Sequence, residues 1–183
     1  MKRIILISCL FTLVSGIAAA QSKYLTRNAK VTFLSEAPLE KIEAVNTQGT
    51  SIFVAPTGQF ECAILMKAFE FEKALMMEHF NENYVESDKY PKAVFKGLIT
   101  DMASVDMSKP GTYPVTFKGT MDLHGVKNEI TGKGTMEVKD GKVRARSSFS
   151  LPLADYKIEI PALVKDKVAK EVNITVDATY DKM

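Results

Sequence analysis

The chain has 183 residues, enough for one domain with a real core, and carries 24 Lys and Arg against 22 Asp and Glu. Lys2 and Arg3 stand before an apolar run, so the remainder is balanced at 22 basic and 22 acidic residues. That balance argues against a nucleic-acid partner held by counterion release, and it offers no electrostatic reason to bind an anionic membrane.

The N-terminus has the layout of an export signal. Lys2 and Arg3 form a positive end, residues 4–14 are mostly apolar, and Ala18, Ala19 and Ala20 supply small residues for cleavage before Gln21. The apolar run falls short of the roughly 20 residues that a spanning helix needs. The expectation is a signal peptide over 1–20 and one domain over 21–183 that is periplasmic or secreted. Cys9 lies inside the apolar run with too little before it for a lipoprotein site, which leaves Cys62 as the one cysteine of the domain. A lone cysteine makes no internal disulfide, and its place on an apolar parity suits a buried thiol.

Residues 24–35 alternate, with Ala29, Val31 and Phe33 on one face. Ala37 and Pro38 end that pattern. Residues 42–46 read as a short strand stopped by Gln48 and Gly49, and residues 51–55 as a third strand closed by Pro56-Thr57-Gly58. Residues 59–66 put Phe60, Cys62, Ile64 and Met66 inward. The period then changes to helical over 69–84, where Leu75, Met76, His79, Phe80 and Tyr84 fall on one stripe. Such a stripe is read first as core and second as a lid over a cavity.

Strands resume at 93–100. The central hairpin follows: Val115, Phe117, Gly119, Met121 and Leu123 share one face, His124-Gly125 makes the turn, and Asn128, Ile130, Gly132, Gly134 and Met136 return. Asp140-Gly141 marks another tight turn, residues 143–153 alternate again, 155–167 connect, and 168–180 form the last strand. Short turns between strands with one apolar face predict an all-β fold, an antiparallel up-and-down β-barrel of about eight strands with a short helical insertion. A two-sheet sandwich is the competing architecture. Phe95, Gly97, Gly119, Gly132, Gly134, Ala145, Ser147 and Ala178 share the inward face, mixing small residues with large ones. Two readings stay open for them: an unfilled apolar space, with strands long enough for a tunnel on the order of 30 Å, or glycines that relieve bending at barrel corners.

Signs of bond chemistry are sparse. The histidines are His79 and His124, and no zinc-protease, paired-cysteine, nucleophile-elbow or phosphate-loop motif is present. His124 suits a turn, because histidine tolerates a left-handed backbone. The expectation is a protein that is not an enzyme, with no catalytic residue, no metal and no cofactor beyond a bound lipid.

Four segments carry a family likeness: His79-Phe80-Asn81-Glu82-Asn83-Tyr84, then Tyr90-Pro91-Lys92-Ala93-Val94-Phe95-Lys96-Gly97, then Gly119-Thr120-Met121-Asp122-Leu123-His124-Gly125-Val126-Lys127, and Leu153-Ala154-Asp155-Tyr156-Lys157-Ile158. With these the chain resembles the YceI-like family of exported bacterial proteins over about Phe60 to Tyr180. The resemblance implies a lipocalin-like barrel that binds a polyisoprenoid-like lipid without catalysis. The alternative is a structural or protein-interaction barrel with a filled core and no ligand. The partners implied are an apolar lipid ligand, no nucleic acid and no stable membrane span, and the reading leaves room for a homodimer. The expected ligand-binding residues are Phe95, Phe117, Met121, Phe149 and Ile174 on the barrel wall, with Met76 and Phe80 at its mouth.

Overall fold

The computed structural model describes residues 22–183. The predicted export segment lies outside the described residues. The strands are β1 (Lys23–Glu36), β2 (Lys41–Val54), β3 (Gln59–Leu65), β4 (Glu70–Phe71), β5 (Lys92–Ile99), β6 (Gly111–Leu123), β7 (Val126–Lys139), β8 (Lys142–Pro152) and β9 (Glu171–Lys182). They pair antiparallel in the order β1-β9-β8-β7-β6-β5-β3-β2, and β2 closes the ring on β1. Eight strands thus make a closed barrel, and the two-residue β4 adds to β2 beside Ala44 and Val45. Closure leaves the long strands no free edge along most of their length.

The expected break in the second strand is absent. Residues 42–46 and 51–54 belong to one strand, β2, because Gly49 sits mid-strand opposite Ala29 instead of in a turn. A Cβ at Gly49 would stand 2.7 Å from the Ala29 carbonyl oxygen and 2.8 Å from Ile64 Cδ1. Glycine is needed there because strand and side chain come too close for any other residue.

Two-residue loops do appear where Gly-containing pairs predict them. His124 (φ 54°) and Gly125 (φ 73°) join β6 to β7, and Asp140 (φ 51°) and Gly141 (φ 74°) join β7 to β8. Both central residues being left-handed is the turn whose twist matches that of the flanking strands. The β6–β7 ladder then runs unbroken from Leu123↔Val126 to Gly111↔Val138.

The helical insertion is shorter than the periodic stripe. Phe69 precedes β4, and the helix α1 covers Ala74–His79 before a wider π turn over Phe80–Tyr84. No residue of α1 is buried, and only Phe80 and Tyr84, in the π turn, pack half-buried against the core, so the stripe is at most its margin. The 3-10 turns Leu153–Tyr156 and Ala162–Val164 lie in the connection between β8 and β9.

The core falls into two clusters, one at each end of the barrel. Tyr24, Phe53, Ile99, Val105, Met136, Val138, Val143 and Tyr180 pack one end solid. The loop between β5 and β6 caps that end with Met102 and Met107. It is held by Asp101, whose carboxylate accepts the Thr116 N–H at 2.9 Å. At the other end Val31, Ile64, Met66, Leu123, Leu151, Ile158 and Val172 ring a space instead of filling it.

Candidate functional site

A cavity of about 550 Å³ occupies the open half of the barrel. That size is ordinary for a small-molecule pocket. Its floor is the upper surface of the solid cluster, formed by Phe53, Ile99, Met136, Val143 and Tyr180. The interior is therefore a pocket closed at one end, where strand length alone had left room for a tunnel on the order of 30 Å.

The wall carries a band of phenylalanines. Phe60 and Phe95 have ring centroids 5.2 Å apart, Phe95 and Phe117 5.8 Å, and Phe117 and Phe149 6.0 Å. The last two pairs meet edge to face, as the ring quadrupole favours. Higher up, Phe33 stacks on Phe80 at 5.4 Å, and Phe69 and Phe71 meet Phe80 at 5.6 and 5.1 Å. This second group fastens the π turn after α1 to the barrel, with Phe80 as the pin. Met76, Phe80 and Tyr84 are half-buried on one side of the insertion and line the cavity. The insertion is thus a lid over the mouth.

All seven residues expected from the sequence as ligand contacts border this one cavity: Met76 and Phe80 from the lid, Phe95 from β5, Phe117 and Met121 from β6, Phe149 from β8 and Ile174 from β9. Phe33, Phe69 and Phe71 also line the wall and were not among the expected ligand contacts. Phe33 could have been found from its inward parity on β1. Phe69 and Phe71 had no such signal, because a strand of two residues has no period.

The inward glycines do not open the space merely by lacking side chains. A Cβ at Gly132 would collide with the Phe117 ring, one at Gly97 would lie 2.5 Å from Phe95 Cε1, and one at Gly119 would collide with the Lys96 carbonyl oxygen. Gly97 and Gly119 face each other across β5 and β6. The glycines allow strands to approach and rings to lie down on the sheet, a role that neither of the two sequence readings named. The cavity comes from aromatic rings turned against the wall.

Ionisable groups inside are held neutral. Burial pushes the Cys62 thiol up to about 11 and, as the largest cause, the Tyr180 phenol up to about 12. The Tyr180 hydroxyl donates to Ser51 Oγ at 2.9 Å, and Ser51 Oγ donates to the Glu61 carbonyl at 2.9 Å. Charge collects at the mouth, where Glu40, Lys73, His79 and Lys167 border the opening and Lys73 Nζ lies 3.4 Å from Glu40 Oε1.

One side of the wall is parted. The β7–β8 ladder runs from Lys139↔Lys142 only as far as Gly134↔Ser147. Ser147 Oγ makes the last link, donating to the Lys133 carbonyl at 2.9 Å. Beyond it β8 stays on β9, and the turn Leu153–Tyr156 crosses back to the β6–β7 hairpin. Two bonds hold this strap: Asn128 Nδ2 donates to the Asp155 carbonyl at 2.7 Å, and His124 Nδ1 meets the Tyr156 carbonyl at 2.9 Å. The other His124 nitrogen lies 2.8 Å from Glu86 Oε2, and the ring packs edge-on to Tyr90. Glu86 and Lys157, on either side of this tie, share with His124 the left-handed backbone. His124 does not border the cavity, so it is a turn residue and a tie between three loops. Among the described residues, no group of three or more His, Cys, Asp or Glu is placed to hold a metal ion.

Known structures share this architecture. A polyisoprenoid-binding domain from Saccharophagus degradans implicated in plant cell wall breakdown aligns with 89% of this chain and 99% of its own, at TM-score 0.77 and 14% identity. BcnA from Burkholderia cenocepacia aligns over 82% of this chain and 95% of its own, at TM-score 0.68 and 14% identity. At such identity these likenesses establish the fold. No curated protein sequence matches significantly. The family model for the YceI-like domain matches residues 23–180, reaching back over the first strands, where the sequence likeness was thin. A closed eight-stranded barrel and a family match over nearly its whole length place this chain in the YceI-like family.

Proposed function

We propose that this protein binds a long apolar lipid of polyisoprenoid type in the pocket of its barrel, without bond chemistry, outside the cytoplasm. The observation that carries this is the pocket: about 550 Å³, walled mainly by aromatic and aliphatic side chains, with its charges at the mouth apart from Arg146 on β8. A flexible hydrocarbon chain gains roughly 0.8 kcal/mol for each methylene moved from water to such a wall. A blind pocket takes the chain tail first and leaves a polar head among Glu40, Lys73, His79 and Lys167. The polyisoprenoid-binding domain of the same fold supports the ligand class, and the N-terminal signal pattern supports the location.

Native mass spectrometry and an unbiased lipid extract of the purified protein test this reading. The expected result is a co-purifying prenyl lipid, displaced when Phe117→Trp fills the pocket. Protein that carries no lipid and binds no prenyl chain in titration would show the pocket to be structural.

A further inference from the structure

Eight large apolar side chains are exposed among the described residues, and four of them surround the mouth. Leu163, in the 3-10 turn of the β8–β9 connection, is 94% exposed, Leu39 at the β1–β2 turn 72%, and Leu75 on α1 60%; Met77 is the fourth. The three segments are joined to one another. The Leu39 N–H donates to the Asp166 carbonyl at 3.0 Å, and Glu40 pairs with Lys73 at the start of α1. Each segment also lines the pocket: Glu40 from the first, Lys73, Leu75 and Met76 from the second, Val164, Lys167 and Val168 from the third. Leu75 is both a pocket-lining residue and a well-exposed one, so apolar surface continues from the interior onto the outer rim.

We infer that this rim docks the mouth onto the surface of a zwitterionic lipid bilayer, so that the pocket can load or release its lipid without the tail crossing water. The inference rests on the lipid-binding reading above. Three features choose a bilayer over a protein partner. Leu39 and Leu163 sit on separate turns and Leu75 on a short helix, a shape suited to insertion between head groups and unlike a flat protein-binding face. They ring the opening of an apolar pocket, where a docked protein would close it. The charges of the mouth segments are close to balanced: Lys73, Lys157, Lys165, Lys167 and Lys170 stand against Glu40, Glu72, Glu78, Asp155, Glu159 and Asp166. With no net positive charge, attraction to anionic lipid is not the driving force, and burial of apolar tips is.

The chain has no tryptophan, so one introduced tryptophan reports its own surroundings. The test uses the chain from residue 21 onward, which contains the whole barrel and omits the apolar run of the export signal. Leu163→Trp and, separately, Leu39→Trp are mixed with phosphatidylcholine vesicles carrying brominated acyl chains. Both should shift to the blue and be quenched, at low and high salt alike. Ile52→Trp, on the outer wall, should do neither. The double variant Leu39→Asp, Leu163→Asp should lose vesicle binding by about tenfold or more. It should keep lipid already in the pocket, because neither side chain lines it. Quenching no greater at Leu163→Trp and Leu39→Trp than at Ile52→Trp would overturn the inference, as would binding confined to anionic vesicles and lost with salt. A protein that lipid-loaded chain retains while vesicles are ignored would assign the rim to a protein partner instead. Vesicle docking by a chain that never carries lipid would leave the rim standing and remove the proposed function.

Discussion

The two ends of the barrel are built from the same eight strands and come out differently. At the closed end the connections are short, at Pro56–Gly58 and Asp140–Gly141, or fold inward as a cap, as the β5–β6 loop does with Met102, Val105 and Met107. At the open end the chain spends residues 66–91 and 153–170 on a lid and a strap. The closed end is filled by side chains that reach across it, such as Tyr24, Phe53, Met136 and Tyr180. The open end also carries large rings, but Phe117 lies over Gly132 and Phe95 over Gly97, so the middle stays empty. Strand number fixes the width of a barrel. Whether a layer is core or pocket is then decided by which way its rings turn, and a glycine beneath the ring, on the same strand for Phe95 and on the next for Phe117, sets that.

The largest test of this comparison is at Gly119. A Cβ there meets the carbonyl of Lys96 and lies 2.5 Å from Gly97 Cα, all backbone, which cannot swing aside. Gly119→Val should therefore cost about 3 kcal/mol or more in urea unfolding. Gly132→Ala meets only the Phe117 ring, which can rotate into the pocket. It should cost about 1–2 kcal/mol and reduce prenyl-lipid binding. Equal costs at the two glycines would break the distinction between strand approach and ring seating.

Truncation on either side of the pocket floor gives the next effect. Met136 is 2% exposed in the closed cluster, and Met136→Ala should cost about 2–5 kcal/mol. Phe149 borders the pocket and is only half-buried, so part of its surface already faces empty space. Phe149→Ala should cost less stability, roughly 1–2 kcal/mol against the 3–5 usual for a packed Phe, and should weaken lipid capture. Denaturation with and without added prenyl alcohol measures both. If Met136→Ala is the milder of the two, the filled and hollow halves have been assigned the wrong way round.

Most of this division was beyond the reach of the sequence, although the barrel itself was legible. Alternation is local, and Val115, Phe117, Met121 and Leu123 declare their common face without any knowledge of their neighbours. The His124-Gly125 and Asp140-Gly141 turns are likewise local chemistry. What Gly49, Gly97 and Gly119 do depends on the strand opposite, and pattern along one strand cannot show it. Gly49 was misread as a stop for that reason. The inward parity of the wall residues put all seven expected contacts on one cavity, yet the cavity's depth depended on Tyr24 and Tyr180, from opposite ends of the chain, both packing on Phe53. The parting of β7 from β8 left no mark in the sequence, since both strands keep their alternation past the point where pairing ends.

The smallest effect separates the halves by access. Cys62 borders the pocket, while Tyr180 lies at its floor with its hydroxyl tied to Ser51. Burial holds the Cys62 thiol up to about 11, above the ordinary thiol range, so thiolate is scarce near neutral pH. Alkylation by iodoacetamide should be slow at pH 8 and keep rising towards pH 11, with Cys62→Ser giving the background. A prenyl lipid in the pocket should slow it further. The same shift has a stability consequence. The folded thiol keeps its proton after the unfolded one has lost it, so its contribution is whole below about pH 9 and declines as pH rises through about 11. The Tyr180 phenol, raised to about 12, pulls in the same direction from the closed half at higher pH. Alkaline unfolding of Cys62→Ser should therefore begin later than that of the parent, and Tyr180→Phe should flatten only the steeper part above pH 10. A lipid-loaded protein whose Cys62 alkylates as fast as the empty one would mean that the ligand stops at the mouth and never reaches the phenylalanine band.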